Sequence, residues 1–138
     1  NISVLRSLIL NKYPTIDIND YEIFTQVQIN IGTGSQYFVA DMILVKRTID
    51  DFGQPILDKS KSIVIESKLS EATNLTTPQG NALTKVKSNS NTFDIRSISK
   101  QNSNGFILSN MDNLEINDFI KAFSDGSGSI LSDVFSLK

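Results

Sequence analysis

The stretch "SIVIESKLS" (residues 62–70) predicts a β-strand that ends in a carboxylate, a serine and a lysine. Its first half, Ile63–Ile65, consists of β-branched residues, which favour strands. Because side chains alternate along a strand, Glu66 and Lys68 share one face with Val64, and the two isoleucines share the other. Opposite charges on an otherwise apolar face need partners, which either an ion pair or a bound cation supplies.

Two predicted strands precede this one. The sequence "YEIFTQVQINI" (21–31) alternates between apolar and polar residues, which indicates a half-buried strand, and "GTGS" (32–35) predicts a hairpin turn. The next strand, "QYFVADMILVKR" (36–47), is apolar on both faces, so we expect it at the centre of a sheet. Residues 48–61 are expected to form a longer connection. The apolar side of the first strand is predicted to contain Ile23, Val27, Ile29 and Ile31.

Helices are predicted on either side of these strands along the chain. Residues 2–12 place apolar side chains at helical spacing. A second helix is predicted with Thr77 as N-cap and Pro78 at its first position, and with Leu83 and Val86 facing inward.

The last third of the chain is predicted to contain two short strands, at 92–99 and 105–109, followed by a third helix. Asp112, with Glu115 three residues later, matches a helix capping signal, and Gly126 is expected to end this helix. Residues 127–138 are expected to form a loosely attached tail. The core face of the third helix is predicted to consist of Ile116, Phe119, Ile120 and Phe123.

Together these elements predict one α+β domain over residues 1–138, with a central mixed sheet of at least four strands flanked by helices. The longest apolar runs are far shorter than the roughly 20 residues that a membrane span needs. The sequence starts without an initiator methionine or a signal peptide, so we expect it to be a fragment of a longer protein.

The composition excludes several kinds of site. The chain has no cysteine and no histidine, which rules out disulfides, thiolate or imidazole metal ligands and a Ser-His-Asp triad. Oxygen ligands remain, and these favour Mg²⁺ or Mn²⁺. The net charge is −2, and residues 41–100 lean basic, with nine Lys/Arg against seven Asp/Glu. Basic residues that could line a nucleic-acid groove are Lys46, Arg47, Lys85, Lys87, Arg96 and Lys100.

A second carboxylate, Asp41, lies within the apolar sequence "FVADMILV" of the preceding strand. An aspartate in such a position is costly unless it is paired or bound to a metal. If the two strands are neighbours, Asp41 and Glu66 converge on one cation with Lys68 beside it, and the Ser67 carbonyl supplies a further oxygen. The alternative is a buried Asp41–Lys68 salt bridge with Glu66 in solvent.

These residues resemble the PD-(D/E)xK, or restriction-endonuclease-like, nucleases. The resemblance consists of Asp41, the triplet Glu66-Ser67-Lys68, and the following "SEATNLTTPQ" (70–79), and it is greatest to toxin domains of bacterial contact-dependent inhibition and polymorphic toxin systems. It implies that Asp41 and Glu66 are the metal carboxylates and Lys68 the catalytic lysine. It also implies that Gln79, at the start of the following helix, faces the site.

The sequence departs from this family at the first helix, where many members supply another acidic ligand. Residues 1–12 contain no Asp or Glu. Glu22 is the nearest substitute as a third metal ligand, followed by Asp17 or Asp20, although each is also compatible with an ordinary solvated residue.

The resemblance implies a metal-dependent endonuclease that hydrolyses phosphodiester bonds in DNA or in structured RNA such as tRNA. Mg²⁺ or Mn²⁺ is the expected cofactor, and a cognate immunity protein is the expected partner. Such toxins are delivered from the cell surface and act in the cytoplasm of a target bacterium. The alternative from another class is a non-catalytic interaction or adhesin module, or an inactive descendant of a nuclease.

Overall fold

The computed structural model describes residues 2–32, 36–96, 99–124 and 131–138. Over these residues the chain has an α+β fold with a central mixed sheet of six strands and an α-helix against each face. The predicted fold class is therefore confirmed. In the described part of the chain, no helix has both the length and the apolar character needed to cross a membrane.

The helices and strands follow one another along the chain in a simple order. The sheet has the strand order β1-β2-β3-β7-β4, with β8 paired to β7, and β5 and β6 form a separate hairpin. The elements are α1 (Ile2–Lys12), a 3₁₀ turn (Ile18–Asp20), β1 (Tyr21–Asn30), β2 (Tyr37–Ile49), β3 (Pro55–Lys68), α2 (Thr77–Lys87), β4 (Thr92–Asp94), β5 (Lys100–Gln101), β6 (Ile107–Leu108), β7 (Asn113–Ser124) and β8 (Leu131–Ser136).

The three N-terminal strands form an antiparallel meander, and β7 then pairs with β3 in parallel. The sheet curls until its ends meet. Ile29 of β1 forms a bridge with Ile95, which follows β4, and the Arg96 N–H donates to the Gln28 carbonyl at 2.9 Å. One face of the sheet is therefore concave, and α2 packs against it.

Each face of the sheet has its own hydrophobic core. Val64 belongs to the concave core with Ala82 and Val86 of α2, whereas Ile63 and Ile65 belong to the opposite core under α1. The alternation predicted for the end of β3 is thus confirmed, and it directs Glu66 and Lys68 toward the α2 side.

The predicted third helix is wrong, because this segment is the strand β7. Ile116 and Phe119 face the concave core, while Ile120 and Ala122 face the α1 core. A strand buried on both faces has a nearly continuous apolar sequence, which periodicity cannot distinguish from a buried helix. Asp112, the expected helix cap, instead accepts a hydrogen bond from the Ser109 N–H at 2.7 Å in a turn.

The predicted long connection at 48–61 is also wrong, because β2 and β3 extend into a projecting hairpin. Its turn is closed by Asp50, whose side chain accepts from the Phe52 and Gln54 N–H groups, each at 2.9 Å. Gly53 has a φ of 77°, a left-handed conformation that glycine adopts without a steric penalty. The turn between the two strands consists of residues 50–54 only, so the residues on either side of it pair with each other as parts of β2 and β3.

Smaller differences concern the ends of elements and the C-terminal segment. The strands predicted at 92–99 and 105–109 are shorter, and α2 has Thr76 rather than Thr77 as its N-cap. Leu131–Ser136, which the sequence places in a loose tail, forms β8 and contributes Val134 to the α1 core. Most of the predicted 32–35 turn, together with Gly126 and residues 127–130, lies outside the described residues.

The side-chain alternation of β1 also differs from the prediction. Val27 and Ile29 face the concave core, but Ile23 packs against the α1 core. Between them, Gln26 has a φ of 52°, which is uncommon for a residue other than glycine and shifts the phase of the strand. Gln26 lies across from Asp41, so the strands bend next to the candidate site.

Candidate functional site

Asp41 and Glu66 are neighbours where the pairing of β2 with β3 ends. The antiparallel register ends with the pair Met42 and Ile65, and Asp41 and Glu66 are the residues immediately beyond that pair. Their side chains are close enough to interact, since Asp41 is one of the causes of the raised pKa of Glu66. The Ser67 N–H donates to Asp41 Oδ2 at 2.9 Å and fixes the aspartate against β3. The two predicted metal carboxylates are therefore brought together.

Gln79 joins Glu66 to Lys68. Its Nε2 donates to Glu66 Oε2 at 3.1 Å, and its Oε1 accepts from Lys68 Nζ at 2.7 Å. The same Oε1 accepts from the Thr76 N–H at 2.9 Å, which makes Gln79 part of the capping box that begins α2. The start of the helix and the end of β3 thus hold the amide in one orientation.

Glu66 is a fully buried carboxyl group, with an exposed fraction of 0%. Its Oε1 has no hydrogen-bond partner within the described structure. Burial, and then the neighbouring Asp41 carboxylate, raise the pKa of Glu66 to about 9. Without a cation, Glu66 is therefore protonated at neutral pH, and a cation beside Oε1 would restore the charged form.

This arrangement fits a divalent cation that prefers oxygen ligands. Asp41 and Glu66 would hold it, because the two carboxylates are close enough to interact and Glu66 is fully buried. The described residues contain no cluster of three or more His, Cys, Asp or Glu side chains arranged for a metal. Mg²⁺ commonly binds through one or two carboxylates and keeps several waters, so two carboxylates are sufficient.

The alternative of a buried Asp41–Lys68 salt bridge with a solvated Glu66 is wrong. Within the described part of the chain no ion pair joins Asp41 to Lys68. Lys68 instead contacts the Gln79 amide, and Glu66 is more deeply buried than either charged neighbour. A salt bridge between Asp41 and Lys68 therefore does not explain why charged residues lie at the end of β3.

The structure does not bring Glu22 to this site. Glu22 lies four positions along β1 from Gln26, the residue across from Asp41, which is roughly 13 Å at the usual strand rise. It is 1% exposed and accepts hydrogen bonds from Arg47, Asn102 and Asn104. Burial opposes its ionisation, but the bonds from these three partners outweigh burial and lower the pKa of Glu22.

The other two acids considered as third ligands are also placed elsewhere. Asp17 forms a bidentate ion pair with Arg6, with N–O distances of 2.8 and 2.9 Å, which lowers the pKa of Asp17 to about 2. Asp20 is exposed in the 3₁₀ turn before β1. The metal would therefore have two carboxylates from the protein.

Arg47→Ala is expected to lower the free energy of unfolding by about 3 kcal/mol, because it removes the cationic partner of a buried carboxylate. Urea unfolding at pH 7 measures the change. Arg6→Ala is the matched control, since Arg6 pairs with an aspartate at the surface, and its effect should be much smaller. Equal losses for the two variants would contradict a structural role for the buried pair.

The sequence prediction missed two contributors to the site, the Ser67 N–H and Thr76. The signal for Thr76 was present, because Thr76-Thr77-Pro78-Gln79 matches the capping-box pattern of Ser/Thr followed three residues later by Glu/Gln. Nothing in the sequence indicates that the Ser67 N–H bonds to Asp41, since that contact depends on the strand register.

Comparison of the chain with protein-family models, with curated proteins and with solved structures finds no match. The resemblance to PD-(D/E)xK nucleases therefore depends on the motif residues of the sequence alone.

Proposed function

We propose that this protein is a metal-dependent endonuclease that hydrolyses phosphodiester bonds of DNA or of structured RNA such as tRNA. The observation that carries the proposal is the convergence of Asp41, Glu66, Lys68 and Gln79 at one end of β3. Glu66 is a fully buried carboxyl group with a second carboxylate, Asp41, beside it, and a buried acid is uncommon unless it is paired or bound to a cation. Buried, strongly perturbed carboxyls are typical of functional sites.

Each residue has a distinct task in this proposal. Asp41 and Glu66 hold Mg²⁺ or Mn²⁺, and the cation, when bound, polarises the phosphate and lowers the pKa of a bound water. Lys68 places a positive charge where negative charge develops on the phosphate, and it orients the attacking water. Gln79 positions both Lys68 and Glu66 through its amide.

The test is cleavage of plasmid DNA and of total tRNA by the purified protein in Mg²⁺. We expect cleavage in Mg²⁺ or Mn²⁺ and none in EDTA. Activity that required Zn²⁺ and was absent in Mg²⁺ would contradict the assignment of two carboxylate ligands. No cleavage of either substrate under any of these conditions would refute the proposed function.

The biological setting of the proposal comes from the resemblance. A toxin domain of this kind is delivered from the cell surface into the cytoplasm of a target bacterium and is neutralised in the producing cell by a cognate immunity protein. Expression in a bacterial cytoplasm should therefore stop growth, and Lys68→Ala should relieve the arrest.

Gln79→Ala is expected to lower both stability and cleavage, whereas Thr76→Ala should lower stability alone. Each change removes half of the capping box, which costs about 1 kcal/mol. Only Gln79 contacts Glu66 and Lys68 with its side chain. Urea unfolding and initial cleavage rates of the two variants measure the difference. If both variants cut equally well, Gln79 serves only to begin the helix.

A second candidate function is a non-catalytic interaction module, and the projecting β2–β3 hairpin favours it. Phe52 at its turn is 88% exposed, and Ile49 and Ile56 on its two strands are also exposed. In such a module the exposed Phe52 side chain would contact the partner protein. The cleavage assay distinguishes the two functions, since an interaction module would leave DNA and tRNA intact in Mg²⁺.

A further inference from the structure

An open pocket of about 410 Å³ adjoins the candidate site. Phe38, which is buried, is one of its lining residues, and Gln79 belongs both to this pocket and to the Glu66–Lys68 contacts. The pocket is therefore continuous with the proposed catalytic residues. Its lining residues are Tyr37, Phe38, Val39, Thr76, Pro78 and Gln79.

Tyr37, at the start of β2, is one of the residues that line this pocket. Tyr37 is 39% exposed although it is a large aromatic residue, and Val39 next to it on the same strand is similarly exposed. The guanidinium of Arg96 lies 4.0 Å from the centre of the Tyr37 ring. An exposed aromatic ring with an arginine against it combines π-stacking with a positive charge.

We propose that Tyr37 and Arg96 form a stacking subsite for an unpaired base of the nucleic acid that the protein cuts. The proposal rests on the proposed nuclease function and adds a substrate class to it, namely single-stranded segments or unpaired loops. A base inside a duplex is already stacked on both faces and cannot lie on Tyr37, whereas an unpaired base can. The Arg96 charge favours the phosphate backbone on either side of that base.

The pocket lies at a distance from Asp41 at which a bound base would position the nucleic-acid strand for cleavage. Tyr37 lies four residues before Asp41 on the same strand, roughly 13 Å away at the usual strand rise. A base held there fixes the strand on one side of the phosphate at Asp41, Glu66 and Lys68. Gln79 adds a polar group to the pocket, where the edge of the base would lie.

The experiment uses the absence of tryptophan from the chain. In Tyr37→Trp, the single indole reports stacking by fluorescence quenching, and all titrations are carried out in EDTA so that no cleavage occurs. The probes are a single-stranded oligonucleotide, the same strand with abasic sites in place of its bases, and the corresponding duplex. We expect strong quenching by the intact single strand and little quenching by the other two.

The matched control is Tyr21→Trp, because Tyr21 also has a cation near its ring, Lys46 at 5.9 Å, but lies outside this pocket. Its fluorescence should not respond to any of the probes. In anisotropy measurements with labelled single strand, Tyr37→Ala should weaken binding roughly tenfold, and Tyr37→Phe should bind as the wild type does.

The outcomes separate this subsite from the proposed function. Suppose that the wild type cuts nucleic acid. If Tyr37→Trp is then not quenched, or is quenched equally by the abasic strand or the duplex, the subsite proposal is overturned and the nuclease proposal stands. Wild-type binding by Tyr37→Ala overturns it as well. If the wild type neither binds nor cuts nucleic acid, the nuclease proposal fails and the subsite fails with it. Base-dependent quenching with the control silent supports the subsite.

Discussion

Replacing Lys68 with alanine is expected to lower the rate of cleavage by roughly a hundred- to ten-thousandfold, while the protein remains folded. The ammonium group lies at the end of β3, held by Gln79 at 2.7 Å, next to the two carboxylates. Since Lys68 forms no ion pair with Asp41 in the described structure, its removal does not leave a buried charge without a counterion. Stability should therefore change much less than activity.

The measurement is a single-turnover cleavage rate in Mg²⁺ together with a thermal melt, each with and without the metal. Lys61→Ala is the matched control, because Lys61 is an exposed lysine on the same strand. Its rate should equal that of the wild type. If Lys68→Ala also cut at the wild-type rate, the assignment of Lys68 as the catalytic lysine would be refuted whatever its melting temperature.

Glu66→Gln is expected to abolish metal-dependent cleavage and to make the metal-free protein more stable at high pH. Burial and the neighbouring Asp41 raise the pKa of Glu66 from an ordinary value of 4.5 to about 9 in the folded state. Its contribution to stability is therefore fully present below about pH 4.5 and is lost as the pH rises toward 9. The loss amounts to at most about 1.4 kcal/mol for each pH unit.

Glutamine keeps the shape of the protonated carboxyl but does not titrate. The difference in the free energy of unfolding between Glu66→Gln and the wild type should therefore widen steadily in favour of the variant from pH 5 to pH 9. Urea unfolding in EDTA at several pH values measures it, with Glu71→Gln, at an exposed glutamate, as control. Parallel pH profiles for Glu66→Gln and wild type would contradict the raised pKa.

Magnesium should reverse this pH trend. The cation binds the charged form of Glu66, so binding displaces a proton and strengthens as the pH rises. The stabilisation of the wild type by Mg²⁺ should therefore be larger at pH 8 than at pH 6, and Glu66→Gln should lose most of it. Thermal melts at the two pH values, with and without Mg²⁺, provide the comparison.

The features that the sequence predicted correctly depend on residues close together in the chain. Asp41 and Glu66 meet because β2 and β3 are consecutive, antiparallel strands, although a five-residue turn joins them instead of the predicted long connection. Gln79 was predicted from the resemblance and not from the capping pattern, since the predicted N-cap is Thr77 and the structure has it at Thr76. Val64 and its neighbours in β3 follow from simple alternation.

The features that the sequence did not predict depend on distant partners. Segment 113–124 has apolar residues at helical spacing, and it is a strand because β3 and β4 flank it on both sides in the sheet. Glu22 has the polar pattern of a surface residue, and it is buried because Asn102 and Asn104, some 80 residues later, cover it. Neither the neighbouring strands of β7 nor the two asparagines can be identified from the residues adjacent in the sequence.

The insertion of β7 beside β3 has a consequence for the order of folding. Strands β1, β2 and β3 are consecutive and locally connected, whereas the parallel pairing of β3 with β7 joins Glu66 to Lys121 across a long intervening segment. Closing that long loop is slow relative to forming hairpins. We therefore expect the two carboxylates to meet early, in a solvated meander, and Glu66 to lose its water only in the late, rate-limiting step.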